Sequence, residues 1–576
     1  MMKMQTRVLG ILAAAGLAAT PALAVPPALD HLSADTPIII GIQSLSGLTA
    51  DAQKWGTMFA PPEAAMGLMM VEQMLQMPGL NPDGSAAVAL VFPDGTMDAE
   101  PIPTIILPVS SFSDFVEAMQ GEASDGVTAL NFQGQTLFAK DIGSGFMAMG
   151  PVMELIEDFD GSTGNNRAHD ARLGTRGAEA ADQAGVFVVI DVESMRPQLE
   201  MALDEMGAQM EFAAMMGGEA AAQQIEMVMN AAEAVVNEGQ TAFVGLGSSD
   251  DGLWLDFAGQ FAEGSDTGAV FADAGNSSSL FGALPNLDYI VAFAFDNSSE
   301  GIRSLMTAAV EMSEGMGMGF QTADIMALNN GQSMVIGTTP GLFAGGLFAN
   351  TVQFTASDNP EQLYDAMKTM TIEMDGMSQN GILYHTSFEE NAAEAAGYNL
   401  HAWGMMMEGD PDHENGVAVG MQLQQMTMLF GGQAGPSGYM ATTDEGIYAS
   451  FSKNRKLMET VLTGEGGQLI DNAGMAMVAD HLPEARTAEG YLNIKGVLDM
   501  VMPFLSMMGM GADIDLPEEM NPIGFGLATG DGGMHARLFV PGDVLEFGAA
   551  MAEQFSGDDE WDDDEVEEEP ESKPKF

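Results

Sequence analysis

The chain of 576 residues contains no cysteine. This absence excludes disulfide bonds, a thiol nucleophile, thiolate metal sites and a lipid-modified N-terminal cysteine. Stability must therefore come from a hydrophobic core, which a chain of this length is long enough to form. Length alone suggests roughly two to four domains of about 150 residues each.

Basic residues are scarce as well: 18 Lys and Arg stand against 83 Asp and Glu, which gives a formal net charge of −65. Such a surface repels nucleic acid and anionic lipid head groups, because it lacks the cations that neutralise phosphates. We therefore expect no nucleic-acid partner. Uniform acidity is typical of a protein that works in high salt, where ions screen the repulsion between its own charges. Binding of divalent cations is the functional alternative, and we favour a solvated surface over it.

Long apolar runs are also missing, since no segment after the N-terminus offers about 18 consecutive apolar residues. The sequence therefore predicts no integral membrane segment. The N-terminus itself combines Lys3 and Arg7 with a short apolar stretch, Val8–Ala19, and a small-residue motif that ends at Ala24. This pattern predicts a signal peptide over residues 1–24, cleaved after Ala24, and an extracytoplasmic protein that is periplasmic or secreted.

Runs rich in Val, Ile and Phe alternate with segments rich in Ala, Met, Leu and Glu, and hairpins outnumber crossover connections. This pattern predicts an α+β fold with largely antiparallel sheet. The order of the predicted elements occurs twice. For example, the hairpin Phe243–Phe257 parallels the hairpin Phe525–Phe539, and each has an Asp- and Gly-rich turn at its centre.

The repetition predicts two homologous halves, residues 25–283 and 284–555, each an antiparallel sheet with helices packed on it. A disordered acidic tail is predicted over residues 556–576, because its Asp and Glu run cannot bury enough apolar area. We expect Gly161–Gln183 to be a loosely held surface excursion. Val417–Leu429 reads as extra strand sequence of the second half.

The sequence contains none of the usual signatures of catalytic or cofactor sites. HExxH, the P-loop, GxSxG and a GxGxxG between strand and helix are all absent. We therefore predict no catalytic, cofactor-binding or metal-binding residue and no cofactor. Dispersed sites stay open, because with so many acids some pair of carboxylates always exists.

The seven histidines offer one arrangement to weigh. A hairpin closing near residue 393 would place His385 roughly opposite His401 on neighbouring strands, and such a pair could hold a metal. His413 lies in the acidic loop Asp410–Gly416, which could add oxygen ligands. The alternative, which we favour, is that both strand histidines lie on the surface and that the loop is a turn.

Methionine is unusually frequent, at 50 residues. Thioethers bind copper(I), so clusters such as Met405–Met407 suggest a metal role. Met195, Met201, Met206 and Met210 recur at helical spacing, however, which is typical of an adaptable core. A third interpretation is that Met-rich helices and a curved sheet enclose an apolar pocket. We favour core filling and place the apolar pocket above copper.

The strand at Ala34–Ile42, the helix at Phe115–Met119 and the segment Gly145–Ala148 form a recurring succession. It resembles that of large uncharacterised exported bacterial proteins of the domain-of-unknown-function kind. The resemblance implies no catalytic residues. Our leading hypothesis is a non-enzymatic extracytoplasmic binding or structural protein of unknown ligand. The alternatives are a soluble carrier of an apolar or lipid-like ligand and, third, a hydrolytic enzyme without a recognisable motif.

Overall fold

The computed structural model describes most of the chain after residue 24. The described residues are 25–56, 69, 71–92, 101–123, 126–132, 134–217, 219–315, 323–339, 346–379, 381–411, 416–432, 435–507 and 516–556. The predicted signal peptide lies outside them, and so does the predicted tail apart from Ser556.

The strands fall into two sets in chain order. The first set is β1 (Ile38–Ile42), β2 (Ala86–Val91), β3 (Ile102–Pro108), β4 (Glu122–Ala123), β5 (Thr128–Phe132), β6 (Gln135–Gly143), β7 (Phe146–Gly150), β8 (Val186–Asp191), β9 (Gly239–Ser248) and β10 (Gly252–Phe261). The second set is β11 (Tyr289–Asp296), β12 (Gly331–Gly337), β13 (Thr351–Ala356), β14 (Ser378–Gln379), β15 (Ile382–Ala395), β16 (Tyr398–Gly409), β17 (Ser437–Thr442), β18 (Gly446–Ser450), β19 (Arg486–Leu492), β20 (Ile523–Gly530) and β21 (Gly533–Pro541).

The helices connect these strands. They are α1 (Leu45–Asp51), α2 (Phe112–Ala118), α3 (Met153–Glu157), α4 (Asn166–Gln183), α5 (Val192–Gly217), α6 (Glu219–Glu238), α7 (Asp266–Val270), α8 (Glu300–Gly315), α9 (Ala323–Leu328), α10 (Pro360–Glu373), α11 (Gly416–Leu429), α12 (Arg455–Thr463), α13 (Ala473–Ala479), α14 (Ile494–Met507) and α15 (Gly542–Ser556). A π-helical turn, Ala52–Gly56, extends α1, and a 3₁₀ turn, Ser277–Ala283, precedes β11. The predicted α+β class is confirmed. No helix of the described ranges is long and apolar enough to cross a membrane.

The 21 strands of the described residues join one antiparallel sheet. Its centre is the pairing of β10 with β21. Outward from β10 the order is β9, β8, β1, β2, β3, β7, β6, β5 and β4. Outward from β21 it is β20, β19, β11, β12, β13, β18, β17, β16, β15 and β14.

The two orders correspond strand by strand, except that β17 and β18 stand where the first side has β7 alone. Homology between the two sides stays a prediction. Both outermost strands, β4 and β14, have two residues. Such short edge strands offer little unpaired backbone to another chain.

The central ladder shows why these residues form paired strands. Side chains of β10 and β21 alternate between the two faces of the sheet, and the burial patterns of the strands match from Gly252 and Gly533 onward. Three residues, Ser249–Asp251, precede β10, and a two-residue turn precedes β21, in which Asp531 adopts a φ of 53°. Asp and Gly tolerate that left-handed region better than other residues do.

One face of the central sheet, which we call the core face, is covered by helix α4. The prediction that Gly161–Gln183 is loosely held is therefore wrong. Leu173, Ala180 and Ala181 of this helix join the main core, and His169 is buried with its Nε2 2.9 Å from the Leu32 oxygen. Another polar residue of this helix also contacts the backbone of a distant segment, since Arg176 donates to the Thr529 oxygen through Nε and Nη2.

A second prediction also fails. Val417–Leu429 belongs to helix α11 and not to a strand. After Val419 its run of Met, Leu and Gln has one β-branched residue, Thr427, and straight side chains favour a helix over a strand. The extra strand of the second side is supplied instead by the separate segments β17 and β18.

Candidate functional site

The strand histidines do not form a pair. The hairpin of β15 and β16 closes between Ala395 and Tyr398, three residues later than predicted, so His385 lies opposite Met406. The prediction of His385 opposite His401 is therefore wrong. His385 Nε2 lies 3.4 Å from a carboxylate oxygen of Glu408 instead. His413 lies outside the described residues.

His401 belongs to a small polar cluster on the second side. The Tyr364 hydroxyl lies 3.0 Å from its Nδ1 and 3.3 Å from Glu390, which also pairs with Lys368 at 2.7 Å. Burial, more than any charge, lowers the pKa of His401, and burial with Glu390 raises the pKa of Tyr364 to about 12. A neutral acceptor imidazole and a protonated phenol make a structural hydrogen bond, not an activated nucleophile.

The methionines divide between core and surface. Met195 and Met407 are buried, whereas Met201 and Met406 are more than half exposed. Met405 and Met407 of strand β16 pack in a core that includes Tyr384. Among the described residues, no group of three or more His, Cys, Asp or Glu could hold a metal ion.

The strongest candidate site is on the face of the central sheet opposite to helix α4. Large apolar side chains stand there in adjacent strands, each 37–46% exposed. We call them the apolar band: Val244, Phe257, Leu538, Phe525 and Phe293. They are neighbours because Phe257 pairs with Val244, Leu538 with Phe525, and both Phe525 and Phe293 with Gly490. Exposed apolar patches of this kind mark interaction sites.

At one end of the band the sheet carries a cavity of about 360 Å³, which we call the 490 pocket. It lies against β11, β12, β19 and β20, and helices α8 and α9 contribute Met306 and Met326 to its walls. Its walls are Phe293, Ala294, Phe295, Asn297, Met306, Met326, Asn329, Gln332, Ala488, Glu489, Gly490 and Phe525. The volume falls in the range of about 300–1,000 Å³ that is usual for sites of small ligands.

The corresponding row on the first side shows how the cavity arises. Phe293, Gly490 and Phe525 are partners across β11, β19 and β20. On the first side, Val188 of β8 takes the place of Gly490, because it pairs with Ile40 of β1 and with Val244 of β9. Where β8 has valine, β19 has glycine.

On the first side of the sheet, side chains fill the space that corresponds to the cavity. Ile40, Val186 and Leu48 of helix α1 form a packed cluster, with Val188 against it. Two residues before Gly490, β19 has Ala488 at the position that Val186 takes in β8. Two smaller side chains in one strand therefore leave open the space that valines and a helical leucine fill on the other side.

Asn297 is one of the residues around the 490 pocket, and its side-chain oxygen is fully buried. Asn297 is 2% exposed, and its Oδ1 has no partner among the described residues. Its backbone is fixed, because its N–H donates to the Asn330 oxygen and its oxygen accepts from Arg303 Nε. Other buried side-chain atoms of the described residues, such as Tyr289 Oη and Thr351 Oγ1, also lack a partner, so this oxygen by itself does not mark a ligand site.

Glu489 does not bring acid–base chemistry to the pocket. It pairs with Ala294 of the core face, and its side chain is fully buried there. One carboxylate oxygen accepts from Arg486 Nε and, at 3.2 Å, from the Tyr491 hydroxyl. Since neighbouring residues of a strand point to opposite faces, Glu489 faces the core while Ala488 and Gly490 face the cavity.

Sequence reasoning named an apolar pocket as one interpretation of the methionines but assigned no residue to it. Met306 and Met326 do lie in its walls. The Ala-Glu-Gly sequence of β19 becomes a signal only when it is compared with β8, since a small residue within a strand often marks a close approach.

No model of a known protein family and no curated protein matches the chain. A solved crystal form of TP0453 is similar over 42% of this chain and 81% of its own, with 9% sequence identity and a TM-score of 0.20. A likeness this weak carries no inference for this chain.

Proposed function

We propose that this protein is a non-enzymatic, extracytoplasmic binding protein that holds an apolar ligand in the 490 pocket and along the adjoining apolar band. The observation that carries the proposal is the contrast between two equivalent rows of the sheet. The first row is closed by Val186, Val188 and Leu48, whereas the second is open at Ala488 and Gly490.

Exposed aromatic rings support the same function. Phe525 belongs to both the pocket wall and the band, so the apolar surface continues from the cavity towards Leu538 at the centre of the sheet. Burial of apolar surface stabilises a complex by about 25 cal/mol per Å² before the costs of association. The duplication predicted from the sequence fits this picture, as one of two homologous halves kept a filled sheet and the other acquired a cavity.

The proposal is tested by filling the cavity with the residues of the first side. A neutral solvatochromic dye, Nile red, is titrated into wild type, Gly490→Val and Ala488→Val, with fluorescence as the readout. Both variants should weaken dye binding by about tenfold or more, because the added methyl groups occupy ligand space. A Cβ at Gly490 would meet neighbours no closer than 3.7 Å, so the backbone accepts the change.

The matched control is Gly259→Val, a strand glycine whose added Cβ would also find ordinary contacts, at 3.8 Å, and which lies outside the pocket wall. It should leave the dye affinity unchanged within about twofold. Equal binding by wild type and both filled variants would show that the 490 pocket is not the site. Mass spectrometry of an organic extract of the purified protein gives a second readout, in which a lipid-like molecule is expected from wild type.

A further inference from the structure

The apolar band continues the 490 pocket across the strands of the sheet. Phe293 and Phe525 belong to both, and each pairs with Gly490 across β11, β19 and β20. Leu538 of β21 pairs with Phe525, and Leu255 of β10 pairs with Leu538. The surface that leaves the pocket is therefore a row of apolar side chains that crosses neighbouring strands.

This row is long and narrow. Neighbouring strands lie about 4.8 Å apart, so that, measured across the strands, Leu538 is about 10 Å and Val244 about 19 Å from Gly490. Side chains on one face of a strand are about 7 Å apart, so the row is as wide as one side chain. A single alkyl chain that lies across the strands matches both dimensions.

The pocket alone is too small for a long chain. A methylene group is close in size to a water molecule, which takes up about 30 Å³ in the liquid, so the cavity of about 360 Å³ holds about twelve carbons. A longer chain must therefore leave the cavity. The band offers the next apolar contacts, because Leu538 lies beside the wall residue Phe525.

The two ends of such a ligand have different requirements. The walls of the pocket include three phenylalanines and two methionines, which suit a hydrocarbon end: Phe293, Phe295, Phe525, Met306 and Met326. Burial in the pocket would remove the water around a polar head group, which is unfavourable. Leu538 is 41% exposed, so a head group beyond it on the sheet face stays hydrated.

We infer, on the basis of the proposed function, that the ligand is a lipid-like molecule with an unbranched alkyl chain of more than about twelve carbons. The terminal carbons fill the 490 pocket. The remainder of the chain crosses β20 and β21 over Phe525 and Leu538, and the head group stays on the open face of the sheet.

The test is a series of uncharged probes that differ only in chain length: octyl, decyl, dodecyl, tetradecyl and hexadecyl maltoside, each below its micelle-forming concentration. Their displacement of Nile red from the wild-type protein gives each Kd. Affinity should rise by about fourfold per methylene in the pocket and by about twofold per methylene on the band, where one side of the chain stays exposed. Hexadecyl maltoside should therefore bind at least about tenfold more tightly than dodecyl maltoside.

The outcomes separate the inference from the proposed function. An affinity that stops rising at dodecyl maltoside, or maltosides that do not displace bound dye, would overturn the inference and leave an apolar site in place. Failure of Nile red and of every maltoside to bind would instead refute the proposed function and the inference with it. The wild-type series does not depend on the folding of any variant.

Leu538→Thr tests whether the chain lies on the band. Threonine suits an exposed strand position, but its hydroxyl makes that part of the band polar. The variant should weaken binding of hexadecyl maltoside by about fivefold and leave octyl maltoside within about twofold of wild type. Met406→Thr is the matched control, since Met406 is exposed on β16, outside the band, and it should change neither Kd. Equal effects of Leu538→Thr on both probes, or no effect on either, would contradict the assignment.

Discussion

Arg537 donates two parallel hydrogen bonds to Asp256, from Nε to Oδ1 at 2.6 Å and from Nη2 to Oδ2 at 2.8 Å, in the middle of the β10–β21 ladder. Both side chains are almost fully buried, and His535 Nε2 lies 2.7 Å from the same Asp256 oxygen. The guanidinium also stacks on Trp254 at 5.1 Å. The two sides of the sheet are thus joined at their centre by a buried charge cluster.

Removing one member of this pair should be severely destabilising. Arg537→Met leaves the Asp256 carboxylate buried with only His535 beside it, and such losses cost about 3–5 kcal/mol. Urea unfolding followed by circular dichroism measures the free energy of unfolding. The double variant Asp256→Leu/Arg537→Met should recover a large part of the loss, because it leaves no uncompensated charge.

A surface pair gives the matched control for this experiment. Lys495 and Asp499 lie one helical turn apart in α14 and are partly exposed. Lys495→Met should change the free energy of unfolding by less than about 1 kcal/mol. Similar losses from Arg537→Met and Lys495→Met would show that the central pair is not a buried, desolvated interaction.

The stability of the protein should respond in opposite ways when a residue of β8 is made smaller and when the corresponding residue of β19 is made larger. Val186→Ala removes methyl groups from the packed cluster with Ile40 and Leu48 and should destabilise by about 2 kcal/mol. Ala488→Val adds them where space exists and should leave stability unchanged or higher. Val235→Ala, at an exposed position of α6, is the control with little expected effect. A stability loss from Ala488→Val as large as that from Val186→Ala would mean that no usable cavity exists.

Much of the sheet could be predicted from the sequence, because its signals are local. The hairpin of β9 and β10 has alternating apolar residues around an Asp-Asp-Gly turn, and the hairpin of β20 and β21 repeats this pattern. Helix α4 could not be predicted, because its polar residues find partners far away in the chain. Arg176, for example, donates to the Thr529 oxygen through Nε and Nη2.

The candidate site was also beyond prediction from local patterns. A cavity depends on how side chains from four strands and two helices add up, and Gly490 becomes informative only when β19 is compared with β8. The prediction that His385 lies opposite His401 was wrong for a related reason. A β-bulge between Glu389 and Ala393 shifts the pairing of β15 and β16, and the turn lies at Ala396 and Gly397, both with positive φ. Bulges change register without a strong sequence signal.

Asp51 should make stability fall as pH rises. This residue, at the end of α1, is 8% exposed, and burial raises the pKa of its carboxyl to about 7, in spite of the attraction of Lys54. The pKa of an unfolded Asp is about 3.9. Between about pH 4 and pH 7 the folded state therefore binds the proton that the unfolded state has released, so that stability decreases with pH and levels off above pH 7.

Asp51→Asn should remove this component, because the amide does not ionise. The stability gained by the variant over wild type should grow from near zero at pH 4 to at most about 4 kcal/mol at pH 8. Asp250→Asn is the control with the opposite sign, since a hydrogen bond from Lys54 lowers the pKa of exposed Asp250 and so stabilises the folded state once pH exceeds about 4. A gain from Asp51→Asn that does not change with pH would contradict the assignment.

The excess of acidic residues predicts stabilisation by salt at low ionic strength. With a formal net charge of −65, the folded chain concentrates negative charge that the unfolded chain spreads out. Between 0.01 M and 0.15 M salt the Debye length falls from about 30 Å to about 8 Å, so the repulsion is mostly screened in that range. The free energy of unfolding in NaCl should therefore rise steeply below about 0.2 M and only slowly above it. Sucrose at matched osmolality is the control, because it is excluded from the protein surface but does not screen charge. A flat or falling dependence below 0.2 M would show that local ion pairs such as Lys368–Glu390, which salt weakens, outweigh the repulsion between the surplus acids.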